Sequence, residues 1–323
     1  MVERLKIAVE KARAERARAQ AAAQESGQAS GQTSGQTSAP DSVHTAGPAG
    51  TPAQVAARVV TEVATSAPAP APETAPAAQP DQGPDPSVRE KDWSALEPIE
   101  LNSRTLERNR VITAARTDPA QATFDVLRTR ILRAFAKRGW TRLGITSPGK
   151  GCGKTFISTN LAFSFSRHPD NRTILMDMDL RLPSVAKILG VSDPEPISWF
   201  LKGDASHTAH LRRHGDNLAL GLNSERVGDA AELIQSASTV EALNGMRGAL
   251  DPTMVIYDLP PMLSCDDVIG FLPQLDCVLL IVGGGTTKGS EVTECEQLLA
   301  DQTHLLGVLL NKAEGTTSVP YAY

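Results

Sequence analysis

Short apolar runs alternate with segments of helical periodicity from about residue 140 onward. The strand-like runs cover residues 143–145, 173–176, 218–222, 254–257, 278–282 and 305–310. Helical patterns lie between them at 155–166, 230–246 and 291–302. Strands that alternate with helices in this way form a mostly parallel central sheet with helices on both faces. We therefore predict an α/β domain that binds its ligands at the carboxyl ends of the strands.

One further helical pattern precedes the first of these strands. Asp118 followed by Pro119 is typical of an N-cap and a first helical residue, and Gly139 is typical of a helix end. The apolar positions at helical spacing are Phe124, Leu127, Ile131 and Phe135. The other face is basic, which indicates a solvated surface or an interface for an acidic neighbour.

The composition divides the chain into five parts. Residues 1–24 form a basic amphipathic helix candidate, which is either a solvated helix or a docking helix for a partner or an anionic membrane face. Residues 25–92 are rich in Ala, Pro, Gln and Ser and bury too little apolar surface to fold, so we predict a disordered linker. A lead-in segment and helix (93–140), the α/β domain (141–314) and a mobile tail (315–323) follow.

Overall charge and apolar content exclude several classes of protein. The net charge is −5 and the pI is about 5.7, so no nucleic-acid partner is expected. There is no apolar run of about 18 residues and no signal-peptide pattern, which predicts a cytoplasmic protein that reaches the membrane only through a partner. The four cysteines lack zinc-binding spacing, so neither a zinc site nor a disulfide is expected.

The sequence S-P-G-K-G-C-G-K-T at 147–155 is the candidate phosphate loop. Its glycines allow the backbone N–H groups to point at phosphate oxygens, and the following helix N-terminus adds partial positive charge. Lys154 would reach the β- and γ-phosphates and Thr155 would bind Mg²⁺, although Pro148 stands where the P-loop pattern requires glycine. The candidate nucleotide contacts here are Gly149, Lys150, Gly151, Cys152, Gly153, Lys154, Thr155 and Phe156.

Two acidic strand ends support a nucleotide site. The sequence D-M-D-L-R at 177–181 follows one apolar run, and D-L-P-P at 258–261 follows another. Carboxylates beside a phosphate loop hold Mg²⁺ and orient an attacking group. These three segments together predict a site for ATP and Mg²⁺.

The same segments resemble a known family. D-M-D-L-R-L-P at 177–183 and K-I-L-G-V at 187–191 are similar to the Walker A-prime region of the bacterial tyrosine kinases (BY-kinases), a family of the MinD and ParA branch of P-loop ATPases. N-L-A at 160–162, A-E-L-I-Q-S at 231–236, D-L-P-P at 258–261 and L-N-K at 310–312 fit as well. The most similar group is the stand-alone CpsD/CapB type of capsule and exopolysaccharide systems, and the similarity covers residues 120 to 315.

The resemblance implies roles for individual residues. Lys154 would be a phosphate and catalytic group, Asp258 and Asp177 would hold Mg²⁺ with Thr155, and either Asp177 or Asp179 would accept the tyrosine proton. Arg181 counts as a further nucleotide contact. Asn311 resembles the position that contacts adenine, the alternative being an ordinary residue at a strand end.

The resemblance also implies a substrate and partners. Tyr321 and Tyr323 would be the phosphate acceptors in a C-terminal tail, unless they are simply exposed aromatic residues. The expected partner is a membrane polysaccharide co-polymerase or chain-length regulator, which would recruit the chain to the inner face of the cell membrane, and self-association is expected too. The E-x-x-R-x-x-R assembly motif is reduced to Ala122, Asp125 and Arg128, of which only Arg128 matches. The alternative is therefore a MinD/ParA-like ATPase switch or a scaffold in polysaccharide assembly, without tyrosine kinase activity.

Overall fold

The computed structural model describes residues 92–114 and 120–313. The predicted helix at 1–24, the linker up to residue 91 and the tail at 315–323 lie outside the described residues. Asp118 and Pro119 also lie outside them.

The described strands form one sheet. Their bounds are β1 (Glu97–Pro98), β2 (Arg142–Thr146), β3 (Thr173–Asp177), β4 (Arg212–His214), β5 (Leu218–Gly221), β6 (Met254–Asp258), β7 (Cys277–Gly283) and β8 (His304–Asn311). Their order across the sheet is β1-β4-β5-β3-β6-β2-β7-β8. Only the β4–β5 pair is antiparallel among the pairs in this sheet. The predicted, mostly parallel central sheet is confirmed.

The helices pack against both faces of this sheet. They are α1 (Ser103–Arg108), α2 (Gln121–Arg138), α3 (Lys154–Ser166), α4 (Val185–Leu189), α5 (Ile197–Lys202), α6 (His207–His210), α7 (Ala230–Gln235), α8 (Ala237–Leu250), α9 (Asp267–Phe271) and α10 (Gly289–Ala300). Alternate residues of a strand point to opposite faces. Accordingly Ile174 packs in the core with α7, α8 and α10, whereas its neighbour Leu175 packs in the core with α2 and α3.

The helix predicted from the apolar periodicity before the first strand is confirmed as α2. The four apolar residues at helical spacing are all buried, and the helix ends at Gly139, whose φ of 67° is left-handed. Because glycine has no Cβ, it adopts this conformation without strain. The helix thus covers the sheet. In sequence it is followed by β2, the strand that leads into the phosphate loop.

The single helix predicted at 230–246 is wrong, because the structure has two helices there. Ser236 separates α7 from α8 with an extended backbone at φ −67° and ψ 150°. Its side-chain oxygen accepts a hydrogen bond from the Thr239 N–H at 3.2 Å, so Ser236 caps the N-terminus of α8. A serine cap of this kind satisfies an N–H group that a helix leaves without a partner.

The lead-in segment contributes to the same core and sheet. Trp93 and Leu96 are buried with the residues of α8, and the Trp93 indole donates a hydrogen bond to the Asp216 carbonyl at 2.7 Å. Strand β1 pairs with β4 at the edge of the sheet. Within 92–114 and 120–313, no helix combines the length and the apolar character that crossing a bilayer requires.

Candidate functional site

Three adjacent strands bring the predicted motifs to one edge of the sheet. Strand β6 lies between β2 and β3, and Asp258 at its end is paired in register with Asp177 at the end of β3. The phosphate-loop sequence begins directly after β2. Since all three strands are parallel, the loop and both carboxylates meet at their carboxyl ends, as the sequence predicted.

The loop has the backbone of a phosphate cradle. Gly151 and Gly153 have φ values of 78° and 94°, in the left-handed region that glycine tolerates. The segment after β6 braces the start of the loop, because the N–H of Met262 donates to the Ser147 carbonyl at 2.7 Å. The Leu263 N–H donates to the Pro148 carbonyl at 3.2 Å, so the proline that replaces the usual glycine is part of this bracing.

Lys154, the first residue of α3, is surrounded by carboxylates. Its Nζ donates to Asp179 Oδ2 at 2.7 Å and lies 3.9 Å from Asp258 Oδ2. Burial by itself would lower the pKa of Lys154, but the negative charges of Asp258 and Asp179 outweigh it and raise this pKa above its ordinary value. The ammonium group is therefore charged and poised at the end of the loop.

Asp177 and Asp258 are completely buried, and most of their oxygens lack donors. Asp177 Oδ2 accepts hydrogen bonds from the N–H groups of Ser184 and Val185, each at 2.9 Å. Within the described part of the chain, Asp177 Oδ1 and both Asp258 oxygens have no hydrogen-bond partner. Burial, together with the charge of Asp258, raises the pKa of Asp177 to about 8, and burial also raises the pKa of Asp258.

Such oxygens fit a hard divalent cation. A buried carboxylate oxygen without a hydrogen-bond donor is costly inside a protein, and a bound metal offsets that cost. The Thr155 hydroxyl lies 3.1 Å from the Ser184 hydroxyl in the same region. Hydroxyl and carboxylate oxygens are the ligand types that Mg²⁺ prefers. The predicted set of Thr155, Asp177 and Asp258 is thus chemically suited to Mg²⁺.

Asp179 and Arg181 occupy the loop after β3. Asp179 Oδ1 accepts a hydrogen bond from the Leu182 N–H at 3.0 Å, while Oδ2 holds Lys154. The Arg181 guanidinium forms two hydrogen bonds of 2.8 Å to the carboxylate of Asp267, which is buried at the start of α9. This pairing raises the pKa of Arg181. Arg181 as a nucleotide contact stays a prediction, because here its guanidinium binds a carboxylate.

The remaining predicted residues line or support the loop. Cys152 is buried, and its thiol donates to the Gly149 carbonyl at 3.3 Å. The Asn311 side-chain amide donates to the Cys152 carbonyl at 2.9 Å. The Phe156 ring packs edge-on against Phe124 of α2, with 6.1 Å between ring centroids. Lys150 is exposed on the loop. Their nucleotide contacts stay predictions.

Three residues of the site were not predicted from the sequence. Ser184 contacts Thr155 and Asp177, Asp267 binds Arg181, and the Lys312 amine donates to the Gly151 carbonyl at 2.8 Å. No local sequence signal pairs Asp267 with Arg181, because the two residues lie 86 positions apart.

Together, the loop, its lysine and the two strand-end carboxylates define a P-loop nucleotide-binding domain. No protein-family model matches the chain. The crystal structure of the VpsO kinase domain has 27% sequence identity and a TM-score of 0.53, and the match covers 59% of this chain and 95% of that one.

Comparison with curated proteins gives a more specific likeness. Tyrosine-protein kinase YwqD of Bacillus subtilis is 27% identical over 202 residues, which are 62% of this chain and 84% of YwqD. EpsB of Ralstonia nicotianae is 27% identical over 228 residues, or 68% of this chain. Succinoglycan biosynthesis transport protein ExoP of Rhizobium meliloti is 28% identical over 169 residues, or 50% of this chain. The chain spans only 30% of EpsB and 21% of ExoP. This chain is thus similar to bacterial tyrosine-protein kinases over about two thirds of its length.

Proposed function

We propose that the chain is an ATP-dependent protein-tyrosine autokinase that transfers the γ-phosphate of ATP to its C-terminal tyrosines. The observation that carries the proposal is the cluster in which Lys154 lies within 4 Å of two carboxylates, while Asp177 and Asp258 stand opposite each other on adjacent strands. Phosphoryl transfer depends mainly on positioning and on neutralising phosphate charge, and this cluster supplies groups for both.

Each side chain has a role in this proposal. Thr155, Asp177 and Asp258 would hold Mg²⁺, whose positive charge neutralises the phosphate oxygens. When a nucleotide enters the loop, Lys154 exchanges Asp179 Oδ2 for a phosphate oxygen. That exchange frees an oxygen of Asp179, which can then accept a proton, and Asp177 is the alternative acceptor.

The reaction itself is an in-line displacement. The tyrosine oxygen forms a bond to the γ-phosphorus while the bond from that phosphorus to the β–γ bridging oxygen breaks. The phenolic proton passes to the aspartate, and ADP leaves with the bridging oxygen. The acceptors would be Tyr321 and Tyr323, which lie outside the described residues.

The relatives support a biological setting for this proposal. The name of ExoP connects one of them with polysaccharide biosynthesis and transport. We place this chain in the cytoplasm, where it regulates exopolysaccharide or capsule polymerisation and export from the inner face of the membrane. Recruitment there would depend on a membrane polysaccharide co-polymerase or chain-length regulator, with the segment at 1–24 as an additional docking element.

A second function, an ATPase switch of the MinD/ParA type, is favoured by one observation on α2. Arg128, which alone matches the assembly motif, donates to the Ser164 carbonyl at 3.0 Å and lies 3.1 Å from Asp125 Oδ1. Asp125 also pairs with Arg167. These groups are therefore engaged within the chain, which weakens the case for ring assembly through them and for transfer between subunits.

The experiment that decides between the two functions is phosphate mapping. The full chain is incubated with Mg-ATP, with and without the cytosolic segment of a candidate adaptor, and is analysed by mass spectrometry beside a Lys154→Met control. The kinase proposal predicts phosphate on Tyr321 or Tyr323 that is absent from the control. ATP hydrolysis without phosphotyrosine, in the presence of an adaptor shown to bind, would favour the switch.

A further inference from the structure

The end of β8 supplies hydrogen-bond donors to two consecutive carbonyls of the phosphate loop. The Asn311 amide donates to the Cys152 carbonyl at 2.9 Å, and the Lys312 amine donates to the Gly151 carbonyl at 2.8 Å. These contacts join segments that are 159 and 161 residues apart in sequence.

The direction of these bonds matters for phosphate binding. A phosphate loop works when its N–H groups point inward at the phosphate oxygens. A peptide carbonyl lies opposite its N–H across the planar peptide bond, so donors that hold the carbonyls also fix the direction of the neighbouring N–H groups. The two donors, one at the end of β8 and one directly after it, act on the carbonyls of residues that lie just before Lys154.

The donors themselves are held in place. Strand β8 pairs with β7 up to the Gly283–Asn311 position, and the Gly284 N–H donates to the Asn311 carbonyl at 2.7 Å. Lys312 then takes the left-handed conformation with φ of 57°, which turns the chain at the end of the strand. A Cβ on Gly153 would lie only 2.2 Å from Asn311 Nδ2, so the amide sits directly against the loop backbone.

We propose that Asn311 and Lys312 form a clamp that positions the phosphate loop for the polyphosphate of the nucleotide. The inference rests on the proposed nucleotide site, and it makes both residues positioning residues. Because the clamp acts on the loop backbone, it stabilises binding of the phosphate chain whatever base is attached. Asn311 Oδ1 is buried without a hydrogen-bond partner in the described part of the chain, so the residue can also offer an acceptor to a ligand.

The test is Lys312→Met, because this side chain is exposed and its replacement leaves the core intact. Affinities for Mg-ATP, Mg-GTP and inorganic tripolyphosphate with Mg²⁺ are measured by calorimetry or competition on the full chain. Because this hydrogen bond is exposed to solvent, its loss predicts an affinity about fivefold weaker, equal for all three ligands. Lys312→Arg should restore most of it. The melting temperature of the unliganded chain should stay that of the wild type.

The matched control is Lys202→Met, which removes the same charge from the exposed end of α5. Equal losses in both variants would reduce the effect to net charge and overturn the clamp, as would unchanged affinity in Lys312→Met. A wild-type chain that binds no Mg-ATP would overturn the proposed function as well. The two failures are therefore distinguishable.

Asn311→Leu separates the clamp from an adenine contact. This change keeps the branched shape and the number of heavy atoms of the side chain and removes both its donor and its acceptor. The clamp predicts that Asn311→Leu weakens the binding of ATP, GTP and tripolyphosphate by the same factor. A loss confined to ATP, with tripolyphosphate binding unchanged, would assign Asn311 to the base and contradict its part in the clamp.

Discussion

At the residue scale, charge compensation organises the site. Lys154 is the cation that balances Asp179 and Asp258, and Asp177 relies on two backbone N–H groups. Burial disfavours isolated charges, so these groups depend on one another or on a bound cation. The unliganded cluster is thus arranged to exchange an internal ion pair for phosphate and metal.

Gly153 provides a stability prediction at this scale. In Gly153→Ala the new methyl group would collide with Asn311 Nδ2, and the φ of 94° disfavours any side chain. We expect a loss of about 1–3 kcal/mol in the free energy of unfolding together with weaker Mg-ATP binding. Chemical denaturation and calorimetry measure the two effects.

The control for this change is Gly228→Ala. Gly228 is exposed, and a Cβ there would have no atom within 4 Å. Its substitution should leave the free energy of unfolding nearly unchanged. Equal stability of the two alanine variants would show that the contact between Gly153 and Asn311 carries no cost.

The sequence predicted the centre of the site better than its surroundings. Asp177 and Asp258 could be placed because each follows a strand-like run, and Lys154 because it closes the loop after a third run; parallel strands end at one edge. The contacts of Asp267 and Lys312 depend on partners 86 and 161 residues away. No local pattern encodes such pairings, since they arise only when the sheet has formed.

At the element scale, a side chain at the start of one strand forms hydrogen bonds with the neighbouring parallel strand. Asp276, immediately before β7, accepts hydrogen bonds of 2.8 Å from the N–H groups of Thr141 and Arg142 at the start of β2. The Arg142 guanidinium also binds it, with the closer contact at 2.6 Å. The carboxylate thus joins two neighbouring strands.

Asp276→Asn should destabilise the protein in a pH-dependent way. Burial alone would raise the pKa of Asp276, but its hydrogen bonds with Arg142 and Thr141 hold this pKa below its ordinary value. A lowered pKa stabilises the fold above the unfolded value of about 4, and that stability is lost as the pH falls through the folded value. We expect a loss of about 1–3 kcal/mol at pH 7 that shrinks below pH about 4.

Urea denaturation across this pH range measures the effect. Asp204→Asn is the control, because Asp204 is exposed and its substitution should change stability little. A difference between wild type and Asp276→Asn that stays constant from pH 7 to pH 3 would contradict the assigned role of the carboxylate.

Helix α8 offers a stabilising change. Gly248 is exposed inside the helix, and a Cβ there would meet no atom within 4 Å. Alanine loses less backbone entropy than glycine in a helix, so Gly248→Ala should increase the free energy of unfolding by about 0.5–1 kcal/mol. Thermal and chemical denaturation would show this, and a destabilised variant would contradict it.

The element boundaries show where sequence patterns lose information. The periodicity of 230–246 predicts one helix because apolar residues continue across Ser236. Serine is a common N-cap, but its preference competes with the surrounding helical pattern. In the structure Ser236 acts as a cap: its side-chain oxygen accepts a hydrogen bond from the Thr239 N–H, and a new helix begins there.

At the scale of the whole molecule, one sheet carries the lead-in segment, the phosphate loop and both acidic strand ends. The fold class could be predicted because alternation of strands and helices is a local pattern that repeats. The order of the strands could not, since β1 joins the edge of the sheet by pairing with β4, which lies far from it in sequence. The linker and the tyrosine tail remain predictions, as they lie outside the described residues.

The central claim is that this sheet edge transfers phosphate to tyrosine rather than only to water. The most direct measurement follows ADP and phosphotyrosine in the same reaction of the full chain with Mg-ATP and a bound adaptor segment. Lys154→Met and a double Tyr321→Phe, Tyr323→Phe variant serve as comparisons. The account predicts phosphotyrosine in the wild type and none in either variant, with the tyrosine-free tail still able to bind ATP. Release of ADP at equal rates by the wild type and the double variant, without phosphotyrosine in either, would contradict it.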